Sequence, residues 1–134
     1  LELRYEDVPT WLKRVYHRYD FQMNVNYFYQ LPDPVLGVHR HYGTDQIRKG
    51  THFVNSSRYS NPTLDQLLDS GAGEPDAAKR TAAYNEIQQI LANDMPVVNL
   101  FELEFLVVYN NKLKGAYGSA MGAYGSFREA YLED

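Results

Sequence analysis

"RYSNPTLDQLLDSGAGEPDAAKRTAAYNEIQQIL", residues 58–91, reads as two helices in succession. Asn61 is a capping residue type, Pro62 suits a first helical turn, and Leu64, Leu67 and Leu68 follow at helical spacing. These signals predict a short helix over 61–70. "GAGEPD", 71–76, breaks it. Pro75 then opens a longer helix to about Asn93, with Ala83, Ile87, Ile90 and Leu91 on one face. Lys79 and Arg80 fall near its start, where the helix dipole favours anions rather than cations. Solvation, or pairing with an acidic neighbour such as Asp76, is expected for them.

Upstream, Leu1, Leu3 and Tyr5 alternate with Glu2, Arg4 and Glu6, the pattern of a half-buried strand. Asp7 offers a cap and Pro9 lies in the first turn of a helix. Its apolar stripe is Trp11, Leu12, Val15, Tyr16 and Tyr19, and its end is expected near Arg18. "DFQMNVNYFYQL", 20–31, sets Phe21, Met23 and Val25 against Gln22, Asn24 and Asn26, which predicts a second strand. Asp33 caps a short helix that begins at Pro34 and runs to about His41. Residues 43–60 show no period and read as a long loop, of the kind that crosses a surface or has a task.

Downstream, Pro96 blocks further helix. Val97–Leu100 and Phe105–Tyr109 read as strands, and Phe101, Leu103 and Phe105 alternate with Glu102 and Glu104 between them. The tail at 111–126 is rich in Gly, Tyr and Ala and repeats "GAYGS" at 115–119 and 122–126, ahead of a short amphipathic piece at Phe127–Leu132. The order β-α-β-α-α-α-β predicts an α/β fold. The chain begins without Met and directly in the strand-like "LELRYED", which reads as a piece of something longer.

Composition narrows the function classes. The chain has 134 residues, enough for one domain, and 44% apolar residues supply a core. A net charge of −4 lacks the basic footprint of a nucleic-acid binder. The longest apolar run, "FLVVY" at 105–109, is strand-sized rather than membrane-sized. With no cysteine there is no disulfide, thiolate metal site or cysteine nucleophile.

Sites of chemistry are few. "HRH" at 39–41, with His17 and His52 elsewhere, lacks a carboxylate at ligand spacing, and a solvated His pair at a helix end is the expectation rather than a metal site. Glu102 and Glu104 share one face of a predicted strand about 7 Å apart, and read as solvent-facing carboxylates rather than an acid–base pair. Neither a phosphate loop nor a nucleophile elbow is present. Neither catalysis nor a cofactor is therefore expected. The 12 tyrosines are the compositional oddity, and "NYFYQL" at 26–31 groups three aromatics that suit either core packing or the wall of a ligand cleft.

The run "HFVNSSRYSNPTLDQLLDSGAGEPDAAKRTAAYNEIQQILANDMPVVNLFE", 52–102, resembles the C-terminal part of family 5 extracellular solute-binding proteins, the peptide and nickel receptors of ABC importers. The matching positions are Tyr59, Asn61, Pro62, Asp65, Leu67 and Leu68. A second set is Asp76, Arg80, Tyr84, Gln88, Ile90 and Leu91, and a third is Asp94, Pro96 and Leu100. The resemblance implies part of a two-lobed periplasmic-binding-protein type II fold, a mixed sheet with flanking helices. Residues 1–97 would close the second lobe, and 98–134 would cross the hinge and return to the first.

The implied function is non-covalent capture of a peptide or similar small solute for a membrane permease. The implied location is periplasmic or extracellular, with a lipoprotein anchor possible. In peptide receptors of the family, the segment before the "DP" turn carries a Trp and, three residues on, an Asp that pairs with the ligand's amino terminus. Tyr27 and Gln30 occupy those positions, with Phe28 beside them; Gln cannot neutralise an ammonium. The crossover strand also faces the cleft in this family, which adds Phe101 and Glu102, and Glu102 could restore the missing charge. A chain holding only part of the cleft is expected to bind weakly or not at all, and to self-associate through 97–126 where sheet edges lose their neighbours. Two other readings stay open: a self-contained α/β interaction domain using its Tyr/Gly-rich tail, and a small hydrolase using Glu102 and Glu104.

Overall fold

The computed structural model describes residues 2–104, 106–116, 121 and 124–134. The chain divides into two compact units, Leu1–Val98 and Asn99–Asp134. The first is helical and the second holds a small two-stranded sheet, a mixed content compatible with an α/β class.

Helix starts in the first unit follow from side chains that satisfy the free N–H groups of a first turn. Asp7 caps α1 (Val8–Leu12): the Thr10 N–H donates to its Oδ1, and the Thr10 hydroxyl to its Oδ2, both at 2.9 Å. The helix widens into a π-turn over Lys13–Arg18 and stops at Tyr19, whose φ of 53° is left-handed. Asp33 caps α2 (Pro34–Tyr42) by accepting from the Val35 N–H at 2.9 Å. Asn61 caps α3 (Pro62–Gly73) through the N–H groups of Thr63 and Leu64. Asp76 does the same for α4 (Ala77–Asp94) through Ala78 and Lys79.

Two apolar clusters sit beneath these helices. Leu64 and Leu68 of α3 meet Ile87 of α4, all fully buried, with Val38, Tyr42, Tyr59, Leu67, Tyr84, Ile90 and Leu91 packed around them. Each such aliphatic side chain contributes about 1.5–3 kcal/mol relative to exposure. Val15, Tyr16 and Val54 form the second cluster with Trp11, Leu12 and Phe21.

The loop between α2 and α3, apart from a 3-10 turn at Thr44–Gln46, has no helix of its own, and a buried side chain gathers its two ends. Asn55 is buried, and its amide nitrogen donates to the carbonyls of Tyr42, Gly43 and Tyr59 at 3.3, 3.0 and 2.9 Å. Asp65 on α3 accepts the Thr44 N–H at 2.9 Å and ties the loop's start to the hairpin.

Several sequence expectations are corrected. Residues 2–6 and 20–31 are not strands, and neither are 97–100 or 106–109; these stretches are irregular and much of their apolar surface is exposed. Their alternation meets one condition for a strand, but none finds a ladder partner in the described structure, and an unpaired strand leaves its backbone groups without mates. Helix α3 runs three residues further than predicted, through "GAG", leaving only Glu74–Asp76 as the break. The sheet lies elsewhere: β1 (Leu113–Lys114) pairs antiparallel with β2 (Tyr131–Leu132), Leu113 opposite Leu132 and Lys114 opposite Tyr131. Part of the predicted amphipathic piece at 127–132 is therefore strand. Gly115 permits this closure, since its φ is +68° and a Cβ there would sit 2.3 Å from the Glu129 carbonyl oxygen. The predicted strand residue Phe105 and half of the two "GAYGS" copies, residues 117–119 and 122–123, lie outside the described residues.

Candidate functional site

The signature positions of the helical hairpin hold one another. The Tyr59 hydroxyl and the Asn61 amide both donate to Asp94 Oδ2 at the far end of α4. Burial, followed by the adjacent Asp94 carboxylate, pushes the Tyr59 hydroxyl up to about 12. Arg80 is neither solvated nor paired with Asp76, as its position alone implied. Its Nη2 donates to Asp33 at 2.7 Å, its Nε to the Gly71 carbonyl at 3.1 Å, and its guanidinium lies 5.6 Å from the centre of the Tyr84 ring. The Val35 N–H, and then Arg80, hold the Asp33 carboxyl below the usual carboxylate range. These residues build a scaffold and leave no reactive group free.

The residues proposed to meet a ligand occupy the irregular segment before α2. Phe28 stacks on His41, ring centres 3.8 Å apart at 39°. The Gln30 amide nitrogen lies 3.2 Å from His41 Nδ1. Gly37 makes this possible: a Cβ there would fall 2.1 Å from Gln30 Oε1, so a larger residue would displace the Gln30 side chain from α2. Asn26 donates to the Tyr16 hydroxyl at 3.1 Å and anchors the same segment to the second core cluster. Tyr27 is mostly exposed beside them.

His41 is the member that the sequence pattern misplaced. It is buried, only 3% exposed, and not part of a solvated pair. Burial above all, and then the Arg40 guanidinium, lower its pKa to about 4, so the ring is neutral at pH 7. A signal for its position existed in the sequence. Gly37 and His41 stand one helical turn apart, so the face that admits Gln30 also carries the His41 ring. His39 instead lies 3.4 Å from Asp45. Phe101 and Glu102 belong to the second unit, where both are exposed. The structure thus brings Phe28 and Gln30 together around His41, with Tyr27 next to them. Among the described residues, no three His, Asp or Glu side chains converge as a metal site would require. No described helix is long and apolar enough to cross a membrane.

Comparison with known proteins places this chain beside larger ones. It is 33% identical over 61 residues to the probable D,D-dipeptide-binding periplasmic protein DdpA of Escherichia coli, which covers 46% of this chain. It is 26% identical over 70 residues, 52% of the chain, to the peptide transport periplasmic protein SapA of Haemophilus influenzae. Protein XP55 of Streptomyces lividans is 36% identical over 66 residues, 49% of the chain. The matched stretch spans 12% of the length of each of these curated relatives. No family model and no solved structure matches the chain. The similarity is partial and of low identity, and two of the three relatives are periplasmic proteins named for peptide transport or dipeptide binding.

Proposed function

We propose that this chain is part of a solute-binding component of an ABC importer. It takes up a peptide or similar small solute without covalent chemistry and delivers it to a membrane permease, in the periplasm or at the cell exterior. The observation that carries the reading is the shared similarity to SapA and DdpA over about half of the chain. Support comes from the site's chemistry: Phe28, Gln30 and His41 supply aromatic and neutral polar groups, and they hold no nucleophile paired with a base. In this reading residues 1–97 form the last part of the second lobe of a type II binding fold, and 98–134 form the crossover that returns to the first. Tyr27, Phe28 and Gln30 contribute one wall, and Phe101 and Glu102 belong to the crossover.

Isotope-edited NMR of the chain, titrated with a pool of di- and tripeptides, tests the proposal. Weak, saturable perturbation of the Tyr27, Phe28 and Gln30 signals is the expected outcome, lost in Tyr27→Ala. A pool that leaves those signals unmoved, or that binds equally well to Tyr27→Ala, would sink it.

A further inference from the structure

Three described arginines are partly buried: Arg14, Arg40 and Arg80. Two are matched by carboxylates. Arg14 donates from Nε and Nη2 to Glu6 and from Nη1 to Asp20. Arg80 meets Asp33. Arg40 differs. Among the described residues it makes no ion pair, and its Nε is buried without any hydrogen-bond partner. Its Nη2 reaches only the Tyr29 carbonyl and His41 Nε2, both at 3.5 Å, the outer limit of a hydrogen bond. The residue as a whole is only partly buried.

A guanidinium held partly out of water costs free energy unless an anion or several acceptors compensate it. Among the described residues, the surroundings of Arg40 supply no such compensation. Its neighbours are the Tyr29 backbone, the neutral His41 ring stacked on Phe28, and the neutral Gln30 amide beyond that ring. The cluster therefore carries one positive charge and no negative one. The planar Nη edge of an arginine fits the two oxygens of a carboxylate better than any other common group.

We infer that Arg40 receives a carboxylate of the bound solute, which makes this wall of the site selective for an acidic end of the ligand rather than an ammonium. The inference rests on the solute-binding reading above and adds the chemical class of the group recognised. Phe28 and His41 form the floor beside the charge, and the Gln30 amide nitrogen lies against His41 Nδ1; a neutral ring that accepts there carries its proton on Nε2 and offers Arg40 no acceptor. Occupancy would replace the two long contacts of Nη2 with charge-assisted bonds at the Nη1 and Nη2 edge.

Acetyl-alanyl-alanine and its C-terminal amide, titrated into the chain at pH 7 and followed by NMR at the Arg40 and His41 side chains, form the test. The acid should bind about tenfold tighter than the amide, one charge-assisted contact's worth of discrimination. The preference should vanish in Arg40→Gln, persist in part in Arg40→Lys, and shrink with added salt. Equal binding of acid and amide, or an acid preference that survives Arg40→Gln, overturns the inference while leaving solute binding intact. Perturbation by neither probe, nor by alanyl-alanine amide, overturns both. If Arg40→Gln does not fold, the acid-to-amide ratio and its salt dependence in the unaltered chain decide.

Discussion

Arg80 near the start of α4 donates to Asp33, the cap of α2, at 2.7 Å across 47 residues of sequence. One carboxylate thereby serves two elements: its Oδ1 accepts from the Val35 N–H and from the Arg80 guanidinium. The helical hairpin α3–α4 is joined through it to the segment that carries Phe28 and Gln30. The path from the scaffold to the candidate site thus runs through residues that no local pattern pairs.

That double role separates two substitutions. Asp33→Asn keeps a capping oxygen and loses the ion pair, whereas Asp33→Ala loses both. Thermal unfolding at low salt should rank wild type above Asn and Asn above Ala, and added salt should narrow only the first gap. Equal melting temperatures for the Asn and Ala variants would contradict the capping role.

His41 makes stability depend on pH. Its ring is buried neutral with a pKa of about 4, against 6.5 for an exposed ring. The unfolded chain therefore binds a proton that the folded chain refuses between those values. Stability from this group is complete above about pH 6.5 and falls as pH drops toward 4, by on the order of 2–3 kcal/mol. Urea unfolding from pH 7 to 4.5 should show this slope, and His41→Phe should flatten it. An unchanged slope in His41→Phe would assign the acid sensitivity to other groups.

The loop from 43 to 60 depends on Asn55. Asn55→Ala leaves three carbonyls without their shared donor and should cost about 1–3 kcal/mol in denaturant unfolding. Asn55→Asp should be worse, because a carboxylate would face three carbonyl oxygens. A loss in Asp no larger than in Ala would mean that the loop rearranges around the site.

The stretch after Pro96 exposes Val98, Leu100, Phe101, Leu106 and Val108, the last two more than nine-tenths. Such a run of uncovered apolar side chains predicts self-association through 97–126. Light scattering should show mass rising with concentration, and Leu106→Lys with Val108→Lys should reduce the rise. A constant monomer mass for the unaltered chain at high concentration would rule this out.

Local rules carried far into this molecule. Asp7, Asp33 and Asn61 cap where their residue types and the following prolines or apolar stripes placed them, and the Leu64–Leu68–Ile87 core follows from helical spacing. Site residues were legible in part. Phe28 and Gln30 do meet, but the partner that organises them is His41, which its place at a helix end marked as solvated.

Strands were the systematic failure, for a physical reason. Capping is settled within four residues, so the chain's own order contains the answer. A strand needs a second chain segment to complete its hydrogen bonds, and alternation in "LELRYED" or "DFQMNVNYFYQL" is silent about whether that segment is present. The sequence by itself thus determined where helices start, which faces they bury, and that capping and core residues dominate the 58–91 hairpin. Only the tertiary structure decided which charges meet. Arg80 found Asp33, Asp94 gathered Tyr59 and Asn61, and Arg40 was left without a carboxylate among the described residues, because those distances depend on how separate helices pack rather than on spacing along the chain.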